Sequence, residues 1–276
     1  MRLVAAELRK VLTTSTWWVF GVIMLPLWAA AVAYNWASVA AARNFDPSQG
    51  GPPPEQAEQI RVAAEAVNVA TTLYTSGQFL GVLLVMLLGA ILVTNEFFHQ
   101  TATTTFLVTP VRERVVVAKL AAAVLIGLAF WLVTTALNLV VVPLIMRQLD
   151  LGSLLDSGAV WRAIGLNALA FGMWAVLGVG LGVLIRNQLA ATLTLSIVYL
   201  IGSSGASLVF FLLSRYVADW LSKLQVIVPT AASQLMIAGT DLPGNPPRWV
   251  GAVVLIGYAV VAGVIGTAIM RRRDIT

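Results

Sequence analysis

The chain has 276 residues, of which 59% are hydrophobic and only 11% are charged. A soluble domain carries about 25% charged residues, so this composition leaves too little polar surface for a water-facing globular fold and predicts a single membrane domain over residues 1–276. The net charge is +5, and the absence of cysteine excludes disulfides, thiolate nucleophiles and cysteine-based metal sites.

An amphipathic helix is predicted at the N-terminus. Val4, Leu8 and Val11 recur at helical spacing, while the charged residues between them lie on other faces. A helix of this kind lies in the membrane interface. We place it within residues 1–14, because a run of threonine and serine follows at residues 13–16.

Six apolar stretches are each long enough to cross a bilayer, which takes about 20 residues. Lipid cannot satisfy free backbone polar groups, and these runs lack the alternation of a membrane strand, so we predict an all-α polytopic fold. The predicted spans are Trp17–Ala42, Tyr74–Thr94, Val115–Met146, Trp161–Ile185, Leu189–Leu213 and Trp249–Met270.

The first span has a rival interpretation as a cleaved signal peptide. A basic region precedes it, and Ala31, Val32 and Ala33 resemble a small-residue cleavage site. The apolar run continues to Ala42, which is too long for a signal core. We therefore expect the first span to be retained.

The distribution of charge predicts the orientation. With both termini, residues 95–119 and residues 186–188 on one face, that face carries a net charge of +6 and the opposite face a net charge of −1. By the positive-inside rule the positive face is cytoplasmic, so both termini are expected inside. The positive charge is thus explained by topology and by contact with membrane lipid, and we expect no binding of nucleic acid.

On the opposite face, a helix is predicted from Glu55, after three prolines. The last outer loop covers residues 214–248, in which Trp220, Leu221 and Leu224 belong to an apolar stripe. We expect this stripe to rest on or enter the membrane and to shape an outer gate.

Within the spans, small and polar residues indicate packing. Thr134 and Asn138 are candidates for lining a pathway, although a satisfied hydrogen bond between helices is the simpler interpretation of Asn138. The glycine- and serine-rich residues 202–207 predict a bend in the fifth span. Glycines four residues apart predict close helix packing, and the pairs are Gly77 with Gly81 and Gly178 with Gly182.

The sequence contains no catalytic constellation. Lys10, Lys119 and Lys223 are the only lysines and none precedes Ser or Thr, so a phosphate-binding loop of the GxxxxGK[ST] kind is excluded. Glu96 and the single histidine, His99, stand three positions apart, but a metal site needs further ligands. We expect no enzyme activity, no metal site and no cofactor in this chain.

Two segments resemble the ABC type-2 exporter permeases. The first is the N-terminal helix, in which Leu3 to Lys10 is similar to the L-x-x-E-L-x-K pattern of that family and is followed by Trp17 and Trp18. The second runs from Glu96 through Pro110 to Arg112 and Lys119, and is similar to the family signature E-F-R-x-G-T…T…L…P-x-x-R…K. Phe98 stands in place of the usual Arg, and Gln100 in place of the usual Gly.

The resemblance implies a transport subunit of the bacterial cytoplasmic (inner) membrane. Such a permease would export an amphipathic or lipophilic substrate, for example a drug, a peptide antibiotic or a lipid. It would pair with a second permease subunit, as a homodimer or heterodimer, and with two copies of a separate ABC ATPase that bind ATP and Mg. The alternative is a membrane scaffold or sensor that does not transport.

The resemblance also implies roles for particular residues. The N-terminal helix would be an elbow helix that includes Glu7, Leu8 and Lys10. Residues 95–114 would form a cytoplasmic coupling loop that docks on the ATPase, with Phe106 and Leu107 as an apolar knob. The residues assigned to the loop are Glu96, Thr101, Thr104, Thr105, Phe106, Leu107, Pro110, Arg112 and Arg114.

Overall fold

The computed structural model describes residues 2–44, 54–100, 111–185, 187–241 and 244–272. Every regular element in these ranges is helical, so the all-α prediction is confirmed. Within the same ranges, six helical segments are long and apolar enough to cross a membrane. The chain is a polytopic membrane protein by this measure.

The helices correspond closely to the predicted elements. The N-terminal amphipathic helix and the helix after the three prolines are both present. Four spans are single helices, whereas the second and fifth spans are each built from two helices. In chain order the helices are α1 (Arg2–Leu12), α2 (Thr16–Arg43), α3 (Pro54–Ala63), α4 (Ala66–Tyr74), α5 (Gln78–Phe98), α6 (Arg112–Gln148), α7 (Gly158–Leu184), α8 (Gln188–Ile197), α9 (Ser203–Tyr216), α10 (Pro229–Ile237) and α11 (Arg248–Arg272).

The second span is interrupted between α4 and α5. Gly77 has a φ of +87°, a left-handed conformation that favours glycine. A Cβ atom added to Gly77 would lie 3.0 Å from Cδ1 of Trp28, so the first span also packs closely here. The predicted span Tyr74–Thr94 lies within the candidate membrane span Ala66–Phe98, and the sequence did not predict the break inside it. The span consists of α4 followed by α5, and the break between them includes Gly77, the residue directly before α5.

Helix α5 forms the centre of the fold. Every side chain from Val82 to Thr94 is buried, and α5 packs against α2, α6, α7 and α8. Helices α2, α9 and α11, at the periphery of the bundle, instead expose many large apolar side chains. In a membrane these faces meet lipid or another subunit.

Helices α5 and α7 meet backbone to backbone through glycines. A Cβ atom at Gly89 would lie 2.5 Å from the carbonyl oxygen of Ala175, and one at Gly178 would overlap the carbonyl of Met86. Gly182 faces the backbone of Ala90 in the same way. The prediction that Gly178 and Gly182 mediate close packing is confirmed, and the contact lies within one chain.

A second glycine contact joins α7 to α11. A Cβ atom at Gly180 would lie 2.5 Å from the carbonyl oxygen of Ala262. Gly266 approaches the same place, because its added Cβ atom would be 3.2 Å from the Cα atom of Gly180. Helices α5, α7 and α11 are therefore joined at contacts that leave no room for side chains.

The fifth span changes its helical pitch midway. Helix α8 passes into a π-helical turn over Val198–Gly202, and α9 follows directly. The sequence predicted an irregularity at residues 202–207, so the irregular turn lies a few positions earlier. Beyond α9 a 3₁₀ helix covers Asp219–Ile227. Helix α10 then begins at Pro229, a residue suited to the first helical position, and was not predicted.

Candidate functional site

Four charged side chains converge at the end of the bundle that carries α1. Glu7 and Lys10 come from α1, Glu96 from the last turn of α5, and Lys119 from the early turns of α6. Three of the four are buried, and Lys10 is about half exposed. We call these four residues the charge cluster.

The charge cluster alternates in sign. The Nζ atom of Lys119 donates to Oε2 of Glu7 at 2.7 Å and lies 2.8 Å from Oε1 of Glu96. The Nζ atom of Lys10 donates to Oε1 of Glu7 at 2.8 Å and to Oε1 of Glu96 at 2.7 Å. Each lysine thus contacts both carboxylates. Lys119 also donates to the backbone carbonyl of Leu92 at 3.4 Å.

Two acids and two bases make the cluster electrically neutral. A buried charge is costly unless it is paired and hydrogen bonded, and the short distances here meet that condition. For Lys10, burial is the largest influence and acts to lower the pKa of the ammonium. The hydrogen bonds and charges of Glu7 and Glu96 together outweigh it and raise the pKa above its ordinary value. Lys10 is therefore charged at neutral pH and loses its proton only in alkaline solution.

The charge cluster lies where α1, the end of α5 and the start of α6 come together. Helix α5 ends at Phe98 and helix α6 begins at Arg112, so Glu96 and Lys119 lie on either side of the connection that contains residues 101–110. Glu7 and Lys10 attach α1 to both of these helices. A cleft of about 290 Å³ lies beside the cluster, between α1 and α5. The arrangement makes α1, the end of α5 and the start of α6 one connected unit.

Most of the predicted coupling loop lies outside the described residues. This applies to Thr101, Thr104, Thr105, Phe106, Leu107, Pro110 and the side chain of Arg112. Arg114 is exposed, as a docking contact requires. Glu96 was assigned to the same loop as a polar contact to the partner, but its carboxylate is buried between two lysines of its own chain. The docking roles stay predictions.

The three residues assigned to an elbow helix all lie in α1, and the elbow role itself stays a prediction. Glu7 and Lys10 are the residues of α1 that enter the charge cluster, and Leu8 is half-buried. Lys119 was missed as a member of the cluster. The sequence did indicate a partner for Lys119, because a lysine inside an apolar span is expected to pair with another group within the protein.

A second polar junction lies deeper, at the break in the second span. The Nδ2 atom of Asn138 donates to the backbone carbonyls of Tyr74 and Ser76, both at 3.0 Å. Its Oδ1 atom accepts from Nε1 of Trp28 at 2.8 Å. Asn138 thereby joins the first, second and third spans, and the interhelical interpretation of this residue is confirmed.

The other predicted site residues differ in their surroundings. Thr134 is buried, and its hydroxyl donates to backbone carbonyls of its own helix, Phe130 at 3.1 Å and Trp131 at 3.0 Å. In the 3₁₀ helix before α10, Leu221 and Leu224 are half-buried and Trp220 is 59% exposed. The roles of these residues in a pathway or an outer gate stay predictions.

The comparisons with known proteins assign no family. No family model matches the chain, and no curated protein matches it. The resemblance to exporter permeases therefore rests on the motifs of the sequence, and the fold stands as that of a helical protein with six candidate membrane spans.

Proposed function

We propose that this protein is the permease subunit of an ATP-driven ABC exporter of the bacterial cytoplasmic membrane. The observation that carries the proposal is the charge cluster, which binds the amphipathic helix α1 to the two helices that flank residues 101–110. The motifs at both of these segments resemble exporter permeases. The cluster joins the helix that carries the first motif to the two helices that carry the ends of the second.

This unit suits the transmission of force. If a partner pulls or pushes on residues 101–110, the displacement reaches Glu96 at the end of α5 and Lys119 in α6. Through Glu7 the displacement also reaches α1, because separating a buried ion pair would leave an unpaired buried charge, which has a large cost. Energy released outside the membrane would in this way move membrane helices.

The proposed assembly contains partners that supply what this chain lacks. Two copies of an ABC ATPase would bind ATP and Mg and would dock on residues 95–114 from the cytoplasm. A second permease subunit, identical or homologous, would complete the pathway. The substrate would be amphipathic or lipophilic, in keeping with spans that carry few polar side chains.

Copurification tests the proposal directly. The chain, tagged at its C-terminus and expressed in its native host, should retain an ABC ATPase through affinity and size-exclusion chromatography. The complex in liposomes should hydrolyse ATP and move a lipophilic dye across the bilayer. A membrane scaffold or sensor would be indicated by a chain that binds no ATPase, or by a complex whose ATP hydrolysis drives no movement.

A further inference from the structure

The second and third spans contain more helix than a bilayer requires. The hydrocarbon core of a bilayer is about 30 Å thick, and an α-helix rises about 1.5 Å per residue. Measured away from the charge cluster, which adjoins the amphipathic helix α1, α6 covers about 44 Å between Lys119 and Gln148. Helix α5 alone covers about 27 Å between Glu96 and Gln78, and α4 continues beyond it. The far ends of both spans therefore extend past the hydrocarbon core.

Tryptophans give the same measure for the first span. Trp17 and Trp36 are 42% and 43% exposed, and they lie about 29 Å apart along α2. Exposed tryptophan is enriched at the two interfaces between membrane and water. Helix α2 continues beyond Trp36 to Arg43, so it also projects on the side opposite α1.

A second hydrophobic core joins these projecting ends. It is separate from the core around α5, and its side chains come from the end of α2, from α4, from the end of α6 and from the start of α7. Because they pack against one another, hydropathy alone does not distinguish them from residues that face lipid. We call residues 37–43, 66–74, 142–148 and 158–164 the outer cap. The buried apolar side chains of this core are Val39, Val69, Ala70, Leu73, Tyr74, Val142, Met146, Val160 and Ile164.

The outer cap is bound to the loop between α10 and α11. Asn68 of α4 is only 7% exposed, and its Nδ2 atom donates to Oγ1 of Thr240 at 2.7 Å. Its Oδ1 atom accepts from the backbone nitrogen of Thr240 at 2.9 Å. Arg162, near the start of α7, donates through Nη2 to the carbonyl of Gly239 at 2.8 Å. Two helices of the cap thus hold neighbouring residues of this loop.

The loop fits closely between the cap and the sixth span. A Cβ atom added to Gly239 would lie 2.6 Å from Oδ1 of Asn68 and 2.6 Å from Oγ1 of Thr71. On the other side, Nε of Arg248 in α11 donates to Oδ1 of Asp241 at 2.9 Å. Polar contacts therefore attach the loop to α4 and to α11 at once.

We propose that the outer cap stands in water outside the bilayer, and that Asn68 is a latch that holds the hairpin of α10 and α11 to it. Breaking the bonds of this one side chain would loosen the outer part of the second span from the sixth span. The glycine contacts of α5, α7 and α11 would stay intact, because they lie far from Asn68 along these helices. The proposal does not rest on the transport proposal.

The position of the cap is tested with single cysteines, since the chain has none of its own. Ser38→Cys and Thr72→Cys place exposed thiols in the cap, whereas Val22→Cys and Leu132→Cys place exposed thiols within the hydrocarbon core. Each full-length variant is reconstituted in phosphatidylcholine nanodiscs and treated with a membrane-impermeant maleimide. The cap thiols should react roughly tenfold faster than the controls, because the reactive thiolate forms in water. Equal protection of all four thiols would place α4 in the bilayer and overturn the proposal.

The latch is tested by hydrogen exchange measured with mass spectrometry in the same nanodiscs. Asn68→Ala removes the bonds to Thr240, so exchange in residues 234–241 and 248–252 should rise roughly tenfold. Residues 82–94 of α5 should keep their protection. Thr72→Ala, at an exposed position of the same helix, is the matched control and should change nothing.

Two results would overturn the latch. Unchanged exchange in Asn68→Ala would show that the loop is held without this side chain. Exchange that rises equally throughout the chain would show that Asn68 only supports general stability. If Asn68→Ala does not fold, Thr240→Val replaces it and should raise exchange in the same residues. None of these outcomes bears on ATPase binding.

Discussion

The Nζ atom of Lys119 lies 2.7 Å from Oε2 of Glu7, although the two residues are 112 positions apart. One residue lies in the amphipathic helix and the other in the third span, so this contact attaches an interfacial element to the membrane core. Both side chains are almost fully buried. The contact is therefore expected to contribute to folding as well as to any transmission of motion.

Removing the ammonium of Lys119 should strongly destabilise the protein. In Lys119→Met, the carboxylates of Glu7 and Glu96 stay buried with only Lys10 to neutralise them, a change that typically costs about 3–5 kcal/mol. Thermal unfolding in mild detergent, followed by tryptophan fluorescence, measures the loss. Lys223→Met, which removes an exposed lysine, serves as the control and should unfold like the wild type.

Restoring neutrality should recover much of that loss. In the double variant Lys119→Met with Glu7→Gln, Lys10 and Glu96 remain as a balanced pair. The double variant should therefore unfold at a higher temperature than Lys119→Met alone, a non-additive result. If the second substitution lowers stability further, the cluster does not act as one electrostatic unit.

Substitution of Asn138 should weaken the junction at the broken second span. Asn138→Leu leaves the carbonyls of Tyr74 and Ser76 and the indole of Trp28 without this partner, at a cost of about 1–3 kcal/mol for each buried group left unpaired. Trp28→Phe removes only the indole bond and should cost less. Unfolding temperatures that rank the two variants in the opposite order would argue that Asn138 has a role other than this junction.

The glycine contact between α5 and α7 can be tested with a pair of alanines. In Gly178→Ala the new methyl group meets the backbone of Met86, which cannot move aside, so we expect a loss of about 1–3 kcal/mol. Gly165 is on the same helix with no atom within 4 Å of the added methyl group. Gly165→Ala should be neutral or raise stability by up to about 1 kcal/mol. Similar unfolding curves for the two variants would contradict the packing described.

The proposed docking of residues 101–110 predicts a loss of partner binding. Truncating a buried aromatic anchor costs on the order of 2 kcal/mol, so Phe106→Ala should weaken association with the ATPase roughly thirtyfold. Leu107→Ala should act in the same direction. Quantitative copurification measures the effect, with Leu12→Ala, an exposed leucine of α1, as the control. Wild-type yield and wild-type stimulation of ATP hydrolysis in both loop variants would rule out the docking role.

The 3₁₀ helix before α10 should influence export separately from assembly. Leu221 is half-buried in it, so Leu221→Glu places a charge in an apolar contact. Dye export should fall while ATPase copurification stays normal. Ser222→Glu adds the same charge at an exposed neighbouring position and should have little effect. Normal export by a well-expressed Leu221→Glu variant would remove this segment from the outer gate.

The sequence predicted the helices well because long apolar runs have one stable form in lipid. It also predicted the contact that Gly178 and Gly182 make, since small residues at this spacing have a general packing role. The break at Gly77 was not predicted. A glycine that packs and a glycine that adopts positive φ look alike in sequence, and the choice here depends on Asn138, more than 60 positions away, which binds the freed carbonyls.

The charge cluster could be predicted only in part. Lys119 within an apolar span implies a buried partner, and Glu96 and Glu7 lie at the same predicted face of the membrane. Nothing local in the sequence indicates that one lysine would contact both acids, or that Glu96 would be buried instead of exposed to a partner. Those features follow from the packing of α1 against α6 and from its contact with the end of α5 through Lys10, which are properties of the tertiary fold.

The glycine contacts of α5, α7 and α11 also determine where the molecule is able to change shape. Helices in backbone contact at several levels cannot slide past one another, because sliding would drive main-chain atoms of one into those of the next. These three helices therefore form a fixed frame within the chain. The glycines of the first span and of the fifth span, with its π-helical turn, make no such backbone contacts, so these two spans are less constrained in this way.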